Sequence, residues 1–318
     1  SQVKRAERAL YTTQNGGFYM TKQEAQVKLT DVMEKFLDLA SKRLPDDVYA
    51  KLQECRDSET SEMQKVVYDT YFDNLKKAQE LGRPCCQDTG LLHFYINCGA
   101  DFPYMGIVEE ALREATSRAT YSVPLRQNTV NYFEERNTGD NTGERMPWLH
   151  WEIIPNNSDL EICTYFAGGG CCLPGCAKVF KPSDGYAAIV KYVFDAVSDL
   201  GINACPPLIV GVGLGHNMEN AAVLSKMAYL RPLGTHHPQP KGAKLEQDLM
   251  DGLNKLGIGA QGLPGNRVAM EVHVESSARH TATIAVGVNV ACYAHRRGFI
   301  TFHKDMSYDI QSYKGVTL

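Results

Sequence analysis

The hydrophobic pattern of this 318-residue chain changes its repeat near residue 82, and that change limits the possible folds more than any other feature. Before it, apolar residues recur at helical spacing, as between Thr21 and Leu44. Thr21 and Glu24 have the spacing of a capping box, and Pro45 is expected to end this first helix. The pattern predicts that the chain begins with helices.

Two more helices are expected before the change of repeat. One starts at Asp46, and the next is capped by Thr60 or Ser61 and runs to Leu81. Gly82 then supplies a helix C-terminal signal. Residues 20–82 are therefore predicted to be all-helical.

After residue 82, strand-like runs alternate with helical ones. Strands are predicted at residues 91–96, 148–154, 160–166, 208–212, 268–274 and 282–290. Helices are predicted at residues 107–119, 124–135, 186–200, 217–230 and 243–256. The strands at 148–154 and 160–166 are expected to form a hairpin, because the residues between them are typical of turns. The fold class predicted is α+β, with a helical N-terminal section followed by an α/β body that contains a mixed sheet.

Domain boundaries follow from the same pattern. Residues 1–19 lack clear periodicity and are interpreted as an N-terminal arm, which is disordered, ordered or a remnant of cloning. Residues 20–318 are expected to form one domain, divided into the helical section 20–82 and the α+β body 83–318.

Composition and charge exclude several classes of protein. The chain is 43% hydrophobic and 22% charged, with a net charge of -4, so neither nucleic acid nor an anionic membrane is an expected partner. No apolar run is long enough to span a bilayer, and residues 1–19 do not resemble a secretory signal. A cytoplasmic protein is expected. Its ten cysteines then indicate thiols or metal ligands in preference to disulfides.

Three cysteines lie beside turns or polar tripeptides, outside the apolar stripes: Cys86, Cys205 and Cys292. Three thiolates are one fewer than a cubane iron–sulfur cluster can bind, which would leave one iron open. Each cysteine taken alone is more often a small buried hydrophobic residue. A competing group consists of Cys171, Cys172 and Cys176, whose close spacing is typical of a local metal knuckle. Spacing alone does not choose between the two groups.

Several motifs resemble one known family. They are Cys86-Gln87-Asp88-Thr89-Gly90, Ala167-Gly168-Gly169-Gly170-Cys171, Leu173-Pro174-Gly175, Ala204-Cys205-Pro206-Pro207, Leu256-Gly257-Ile258-Gly259-Ala260-Gln261-Gly262-Leu263 and Ala294-His295-Arg296-Arg297-Gly298. Together they resemble the iron–sulfur class I fumarases and tartrate dehydratases, over nearly the whole chain from Met20 onward.

The resemblance implies a cofactor and a partner. Cys86, Cys205 and Cys292 are the positions that match the ligands of a [4Fe-4S] cluster with one iron not bound by a protein thiolate. Residues 20–318 would then be the cluster-binding catalytic domain. The remaining part of the active site would come from a separate beta subunit, in an alpha2beta2 heterotetramer.

The resemblance also implies roles for other side chains. Asp88 would act in acid–base catalysis, although an Asp-Thr-Gly sequence is by itself typical of a simple turn. The residues expected to bind the substrate are Gln87, Arg126, Gly169, Gly170, Lys178 and His280. Arg296 and Arg297 are further basic candidates, which could instead pair with carboxylates of the beta subunit.

Two classes of function remain open at this point. The first is a hydro-lyase, dehydrating L-tartrate to oxaloacetate and water or, as an alternative, interconverting malate and fumarate. The second is a non-catalytic assembly or redox-sensing protein whose thiols bind no cluster.

Overall fold

The computed structural model describes residues 20–318, so the predicted arm at residues 1–19 lies outside the described part. The chain divides into two compact units that interleave in sequence. The first contains residues up to Ala40, Leu91–Tyr165 and Gly298–Leu318, and the second contains Ser41–Gly90 and Phe166–Arg297. The boundary predicted at residue 82 does not coincide with these limits, and the division into domains stays a prediction.

The helices, in chain order, are α1 (Lys22–Lys42), α2 (Asp46–Ser58), α3 (Glu62–Glu80), α4 (Val108–Ser122), α5 (Gly169–Cys172), α6 (Gly185–Asp199), α7 (Met218–Leu230) and α8 (Pro240–Leu253). The strands are β1 (Leu91–Gly99), β2 (Val130–Asn131), β3 (Arg136–Asn137), β4 (Trp148–Ile154), β5 (Leu160–Ala167), β6 (Cys176–Phe180), β7 (Leu208–Gly215), β8 (Ala269–Ser276), β9 (Ile284–Ala291), β10 (Arg297–Phe302) and β11 (Tyr308–Ile310). No helix within residues 20–318 is long and apolar enough to cross a membrane.

The three N-terminal helices form where the sequence predicts them. The capping box before α1 is confirmed, since the Glu24 amide donates to Thr21 Oγ1 at 3.2 Å and the Thr21 amide donates to Glu24 Oε2 at 2.9 Å. Ser61 caps α3 by accepting a hydrogen bond from the Gln64 amide. The α+β class predicted from the change of repeat is confirmed.

The first unit is built on a five-stranded sheet with the order β11-β10-β5-β1-β4. The predicted hairpin of β4 and β5 is wrong, because β1 lies between these strands and pairs in parallel with β4. Strand β4 therefore lies at one edge of the sheet. The alternation of apolar residues indicates that a strand has two faces, but it does not identify the neighbouring strand.

The helix predicted at residues 124–135 is also wrong. This segment is a loop that ends in the short antiparallel pair β2 and β3. The Asn141 side chain accepts hydrogen bonds from the Asn128 and Thr129 amides at 2.8 and 3.3 Å, and it donates to the Arg126 carbonyl at 2.9 Å. These bonds from a distant asparagine replace the backbone ladder of a helix.

The second unit contains a mixed four-stranded sheet with the order β6-β9-β7-β8. Strand β7 runs parallel to β8 and antiparallel to β9. Strand β6 was not predicted, because Phe180 is its one buried residue and its apolar pattern is weak. Helix α7 packs directly on β7, where a Cβ at Gly213 would lie 2.0 Å from the Ala221 carbonyl oxygen. The absence of a side chain there lets the helix backbone reach the sheet.

Candidate active site

The three cysteines nominated from the sequence lie at the ends of elements of the second unit. Cys86 follows α3, Cys205 precedes β7, and Cys292 follows β9. Because β7 and β9 are antiparallel neighbours, with Ile209 opposite Ala291, the start of one strand and the end of the other meet at one sheet edge. The Tyr293 amide accordingly donates to the Cys205 carbonyl at 3.3 Å.

Cys205 has an unusual backbone conformation. Its φ is 56°, in the left-handed region that few residues other than glycine adopt. Pro206 and Pro207 follow, and the Pro206 carbonyl accepts hydrogen bonds from the Gln261 amide and from the hydroxyl of Tyr71. Strain of this kind persists where the surroundings hold the residue in place, and it is often found at functional sites.

Helix α3 contacts all three cysteine segments. The Tyr71 hydroxyl donates to the Pro206 carbonyl at 2.9 Å, and the Tyr71 ring stacks on Tyr293 with centroids 3.7 Å apart. One turn further along, Asn74 Nδ2 donates to the Cys85 carbonyl at 2.7 Å. The sequence pattern indicates packing alone for this helix. Its polar side chains hold the three segments together.

The thiols influence one another electrostatically. Burial raises the pKa of Cys86 and of Cys205, and in both cases the negative charge of the Cys292 thiolate raises it further. The pKa of Cys292 is lowered to about 7, first because Cys171 donates a hydrogen bond to its sulfur and then because the Arg296 charge is near. Among the three, Cys292 ionises most readily at neutral pH.

This donor set is compatible with an iron–sulfur cluster. No group of three His, Cys, Asp or Glu side chains within residues 20–318 is arranged to hold one ion. Ligands of a cubane bind different iron atoms, so their sulfurs lie farther apart than the ligands of one ion. The structure supplies three partly exposed thiols on facing segments and a buried cation beside them.

Arg296 is that cation, and only 2% of it is exposed. Its Nη2 donates to the Asp88 carbonyl at 2.8 Å, and its guanidinium lies 5.6 Å from the Phe166 ring centroid. Its charge opposes the rise in the pKa of Cys86 and contributes to the lowering of the pKa of Cys292. Arg297, 1% exposed, forms an ion pair with Asp47. Both arginines are therefore bonded within the chain, which argues against pairing with carboxylates of another subunit.

Asp88 and the glycine loop meet at this site. Asp88 Oδ2 accepts a hydrogen bond from the Gly169 amide at 2.8 Å, and Oδ1 accepts one from the Gly90 amide at 3.0 Å. Gly90 has a φ of +80°, and a Cβ there would lie within 2.9 Å of the Ala167 backbone. Only glycine fits this close approach. The hydrogen bonds from the Gly90 and Gly169 amides hold the Asp88 carboxylate in one orientation.

The other residues expected to bind substrate are more dispersed. Gln87 is exposed beside Asp88, and Gly170 lies against the Asn203 carbonyl. His280 is exposed in the loop between β8 and β9, where its Nδ1 accepts a hydrogen bond from the Ala282 amide at 3.1 Å. Lys178 is exposed on β6, with its ammonium 5.0 Å from the Phe180 ring centroid.

Arg126 is exposed and belongs to the first unit, on the loop at residues 124–135 for which the sequence predicts a helix. Its role as a substrate ligand stays a prediction, as do the roles of the other side chains named above.

The competing cysteine group does not form a knuckle. Cys171 is buried and hydrogen-bonds to Cys292, whereas Cys172 is exposed and Cys176 interacts with the Tyr192 hydroxyl. Sequence reasoning misses Cys171 at this site, because nothing in its spacing distinguishes it from its two neighbours. It also misses Tyr71 and Asn74 as residues that form the site, and it names Arg296 only as a further basic candidate.

Comparison with known proteins gives a consistent result. A family model described as fumarate hydratase (fumerase) matches residues 30–301. The chain is 52% identical to the L(+)-tartrate dehydratase subunit alpha of Escherichia coli and to that of Shigella sonnei, over 91% of this chain and 95% of each relative. It is also 35% identical to a Methanocaldococcus jannaschii chain to which the name L(+)-tartrate dehydratase subunit alpha is given provisionally. That match covers 85% of this chain and 96% of the relative.

These matches and the site define a hydro-lyase. The chain belongs to the fumarate hydratase (fumerase) family. Membership implies an iron–sulfur cofactor, in agreement with the thiol-lined site. The alternative of a non-catalytic, thiol-rich assembly protein is therefore set aside.

Proposed function

We propose that this chain is the cluster-bearing alpha subunit of an enzyme that dehydrates L-tartrate to oxaloacetate and water. The observation that carries the proposal is the placement of three cysteine segments around one helix, in a chain 52% identical to proteins named L(+)-tartrate dehydratase subunit alpha. The family model matches residues 30–301, which include every segment that forms the site.

Cys86, Cys205 and Cys292 are proposed to hold a [4Fe-4S] cluster with one iron not bound by a thiolate. When bound, that iron supplies a Lewis acid for the hydroxyl that leaves. The chain's own contribution is to fix the three thiols and to place the Arg296 cation beside the negative charge that they carry. Burial of a lone charge would be costly, so the guanidinium and the thiolates stabilise each other.

Asp88 is proposed to transfer a proton during elimination. Loss of hydroxide from one carbinol carbon and of a proton from the next gives the enol of oxaloacetate, which then becomes the keto acid. A carboxylate oriented by two backbone amides is suited to that proton transfer, because its position is settled before the substrate arrives. Gly90 and Gly169 supply those amides.

The substrate is a dicarboxylate, and the proposed site provides matching donors. Gln87, the backbone of Gly169 and Gly170, Lys178, His280 and Arg126 are proposed to bind its carboxylates and hydroxyls. Arginine suits a carboxylate especially well, since it can donate two parallel hydrogen bonds.

A partner completes the proposed enzyme. The relatives are named as alpha subunits, which supports a beta subunit that carries the rest of the active site, in an alpha2beta2 heterotetramer. We place the complex in the cytoplasm, where cysteines remain reduced. The family description fumarate hydratase keeps a two-subunit fumarase as the second candidate.

The substrate is tested on the complex with its beta subunit, purified without oxygen. Initial rates are measured with L-tartrate and with L-malate as separate substrates. We expect a kcat/KM for L-tartrate at least about a hundredfold higher, since a site built to hydrogen-bond a second hydroxyl discriminates strongly against a substrate that lacks it. A preference for L-malate would replace the first candidate by the second.

A further inference from the structure

Within residues 20–318, strand β4 leaves an apolar sheet edge without a neighbouring strand. It is the outermost strand of the five-stranded sheet, and β1 is its partner on the inner side. Its residues are Trp148, Leu149, His150, Trp151, Glu152, Ile153 and Ile154. No residue of this strand is buried, although most are large and apolar.

The neighbouring strand shows what is unusual about this edge. On β1, Phe94 and Ile96 are 0% and 1% exposed. The parallel register places Trp151 beside Ile96, and Ile153 beside Cys98, so these side chains share the buried face of the sheet. Ile153 is nonetheless 51% exposed. The covering of that face is therefore incomplete at β4, where Leu149 and Trp151 are half-buried.

An open strand edge with large apolar side chains is a template for pairing with another chain. Strands at protein surfaces are usually protected by charges, prolines or bulges. The seven residues of β4 contain one carboxylate and no proline, and their register with β1 has no irregularity. Stable exposure of this edge in the assembled protein would be unusual, and a partner strand would cover it.

We propose that β4 pairs antiparallel with β4 of a second copy of this chain, with the two-fold axis at Trp151. In that register His150 lies opposite Glu152 of the other copy, and the pair occurs twice. Leu149 then faces Ile153, and Trp148 faces Ile154. A donor–acceptor pair and apolar pairs are the combinations that stabilise antiparallel strands.

The neighbouring registers are poorer. A shift by one residue in either direction places Glu152 opposite Trp151 or Leu149. The carboxylate would then be desolvated beside an apolar side chain without a partner, which is costly. Among these three registers, the strand is self-complementary in the one centred on Trp151, and that property favours a second copy over an unrelated chain. A two-fold contact of this kind buries the same patch on both partners.

This interface goes beyond the proposed function, because it assigns the contact between two alpha subunits and does not depend on the cluster. It is tested on the full chain expressed alone, by sedimentation velocity across a concentration series. We expect a reversible dimer. A wild-type chain that remains monomeric at all concentrations would overturn the proposal.

Charge exchange identifies the register. His150→Glu places Glu opposite Glu twice, and it should raise the dimer Kd at least about tenfold, since like charges directly opposite each other destabilise an antiparallel pair. The double variant His150→Glu with Glu152→His restores both pairs and should return the Kd to near the wild-type value. His216→Glu is the matched control, an exposed histidine of the second unit that should leave the Kd unchanged.

Two results would contradict the proposal. One is a dimer that His150→Glu does not weaken. The other is a His150→Glu chain that still dimerises but no longer binds the beta subunit, which would assign the β4 edge to that subunit. Hydrogen exchange gives a second readout, because the β4 amides should become protected as the concentration rises. Circular dichroism verifies that each variant is folded.

Discussion

Two adjacent arginines at the end of the cysteine-rich unit have different partners. Arg296 bonds the carbonyl of Asp88 and lies near the thiols, whereas Arg297 forms its ion pair with Asp47. Both are almost fully buried, so each must be compensated by a bonded neighbour. Arg296 lies near the thiols, whereas Arg297 is paired with Asp47. Substituting each arginine therefore distinguishes an effect on cluster binding from an effect on folding.

Arg296→Met should weaken iron retention by roughly tenfold, since a hydrogen bond to a charged group contributes about 1.5–3 kcal/mol. Arg297→Met should instead lower the free energy of unfolding, by on the order of 3 kcal/mol, because it leaves the Asp47 carboxylate without its cationic partner. Iron per folded chain and the urea midpoint are measured for both. Equal iron loss per folded chain in the two variants would show that Arg296 has only a structural role.

Asp88→Asn tests the proton-transfer step. The asparagine has nearly the same shape but cannot exchange a proton at neutral pH, so kcat should fall by about 10² to 10⁴. Iron content should stay at the wild-type level, since Asp88 is not a proposed ligand. A variant with wild-type kcat would remove Asp88 from the mechanism.

Among the secondary-structure elements, α3 has a position that the sequence pattern does not reveal. Its apolar stripe predicts a packed helix, and the structure confirms that helix. The polar residues on the same element, Tyr71 and Asn74, bond the carbonyls of Pro206 and Cys85. The helix thus links segments that are far apart in sequence.

Tyr71→Phe removes the hydroxyl and retains the ring stack on Tyr293, whereas Tyr71→Leu removes both. We expect iron release to accelerate in two steps, with about 1 kcal/mol for the hydrogen bond and a similar amount for the stack. Iron transfer to a chelator is followed over time. Tyr121→Phe, an exposed tyrosine of the first unit, is the control, and an equal rate for wild type and Tyr71→Leu would contradict this role for α3.

Strand β8 contains a histidine that makes stability depend on pH. Burial lowers the pKa of His273 to about 4, and the Arg231 charge acts in the same direction. Between pH 6.5 and 4 the unfolded chain binds a proton that the folded chain excludes, so stability falls as the pH falls through this window. The expected loss is roughly 2 kcal/mol between pH 7 and pH 5.

Urea unfolding of wild type and His273→Gln at both pH values measures this contribution. The variant should lose that part of the pH dependence, while His216→Gln, at an exposed histidine, should retain it. Identical pH dependence in wild type and His273→Gln would show that protonation of His273 does not cause the loss of stability. The pKa of buried His295 is also lowered, so some pH dependence should remain in the variant.

At the scale of the whole molecule, local signals predicted structure well and long-range contacts could not be predicted. The Thr21–Glu24 cap depends on residues three apart, and it forms as expected. The position of β1 between β4 and β5, by contrast, depends on strands distant in sequence. The loop around Arg126 is not a helix because Asn141, fifteen residues later, bonds its backbone.

The residues of the candidate site also fall into two groups, those that local sequence signals predict and those that only long-range contacts bring together. The turns beside Cys86, Cys205 and Cys292 are local features, so the sequence could nominate these residues. The hydrogen bond from Cys171 to Cys292 and the burial of Arg296 arise only when β9 and the glycine loop come together. No spacing rule connects residues that the fold alone brings into contact.

The most direct measurement is iron and sulfide analysis of the complex with its beta subunit, purified without oxygen and assayed with L-tartrate in the same sample. We expect about four irons and four sulfides per alpha chain. Cys205→Ser should lose both iron and activity, while Cys172→Ser, at an exposed cysteine, should keep them. A Cys205→Ser complex that retains its iron and its activity would contradict the proposed cluster site.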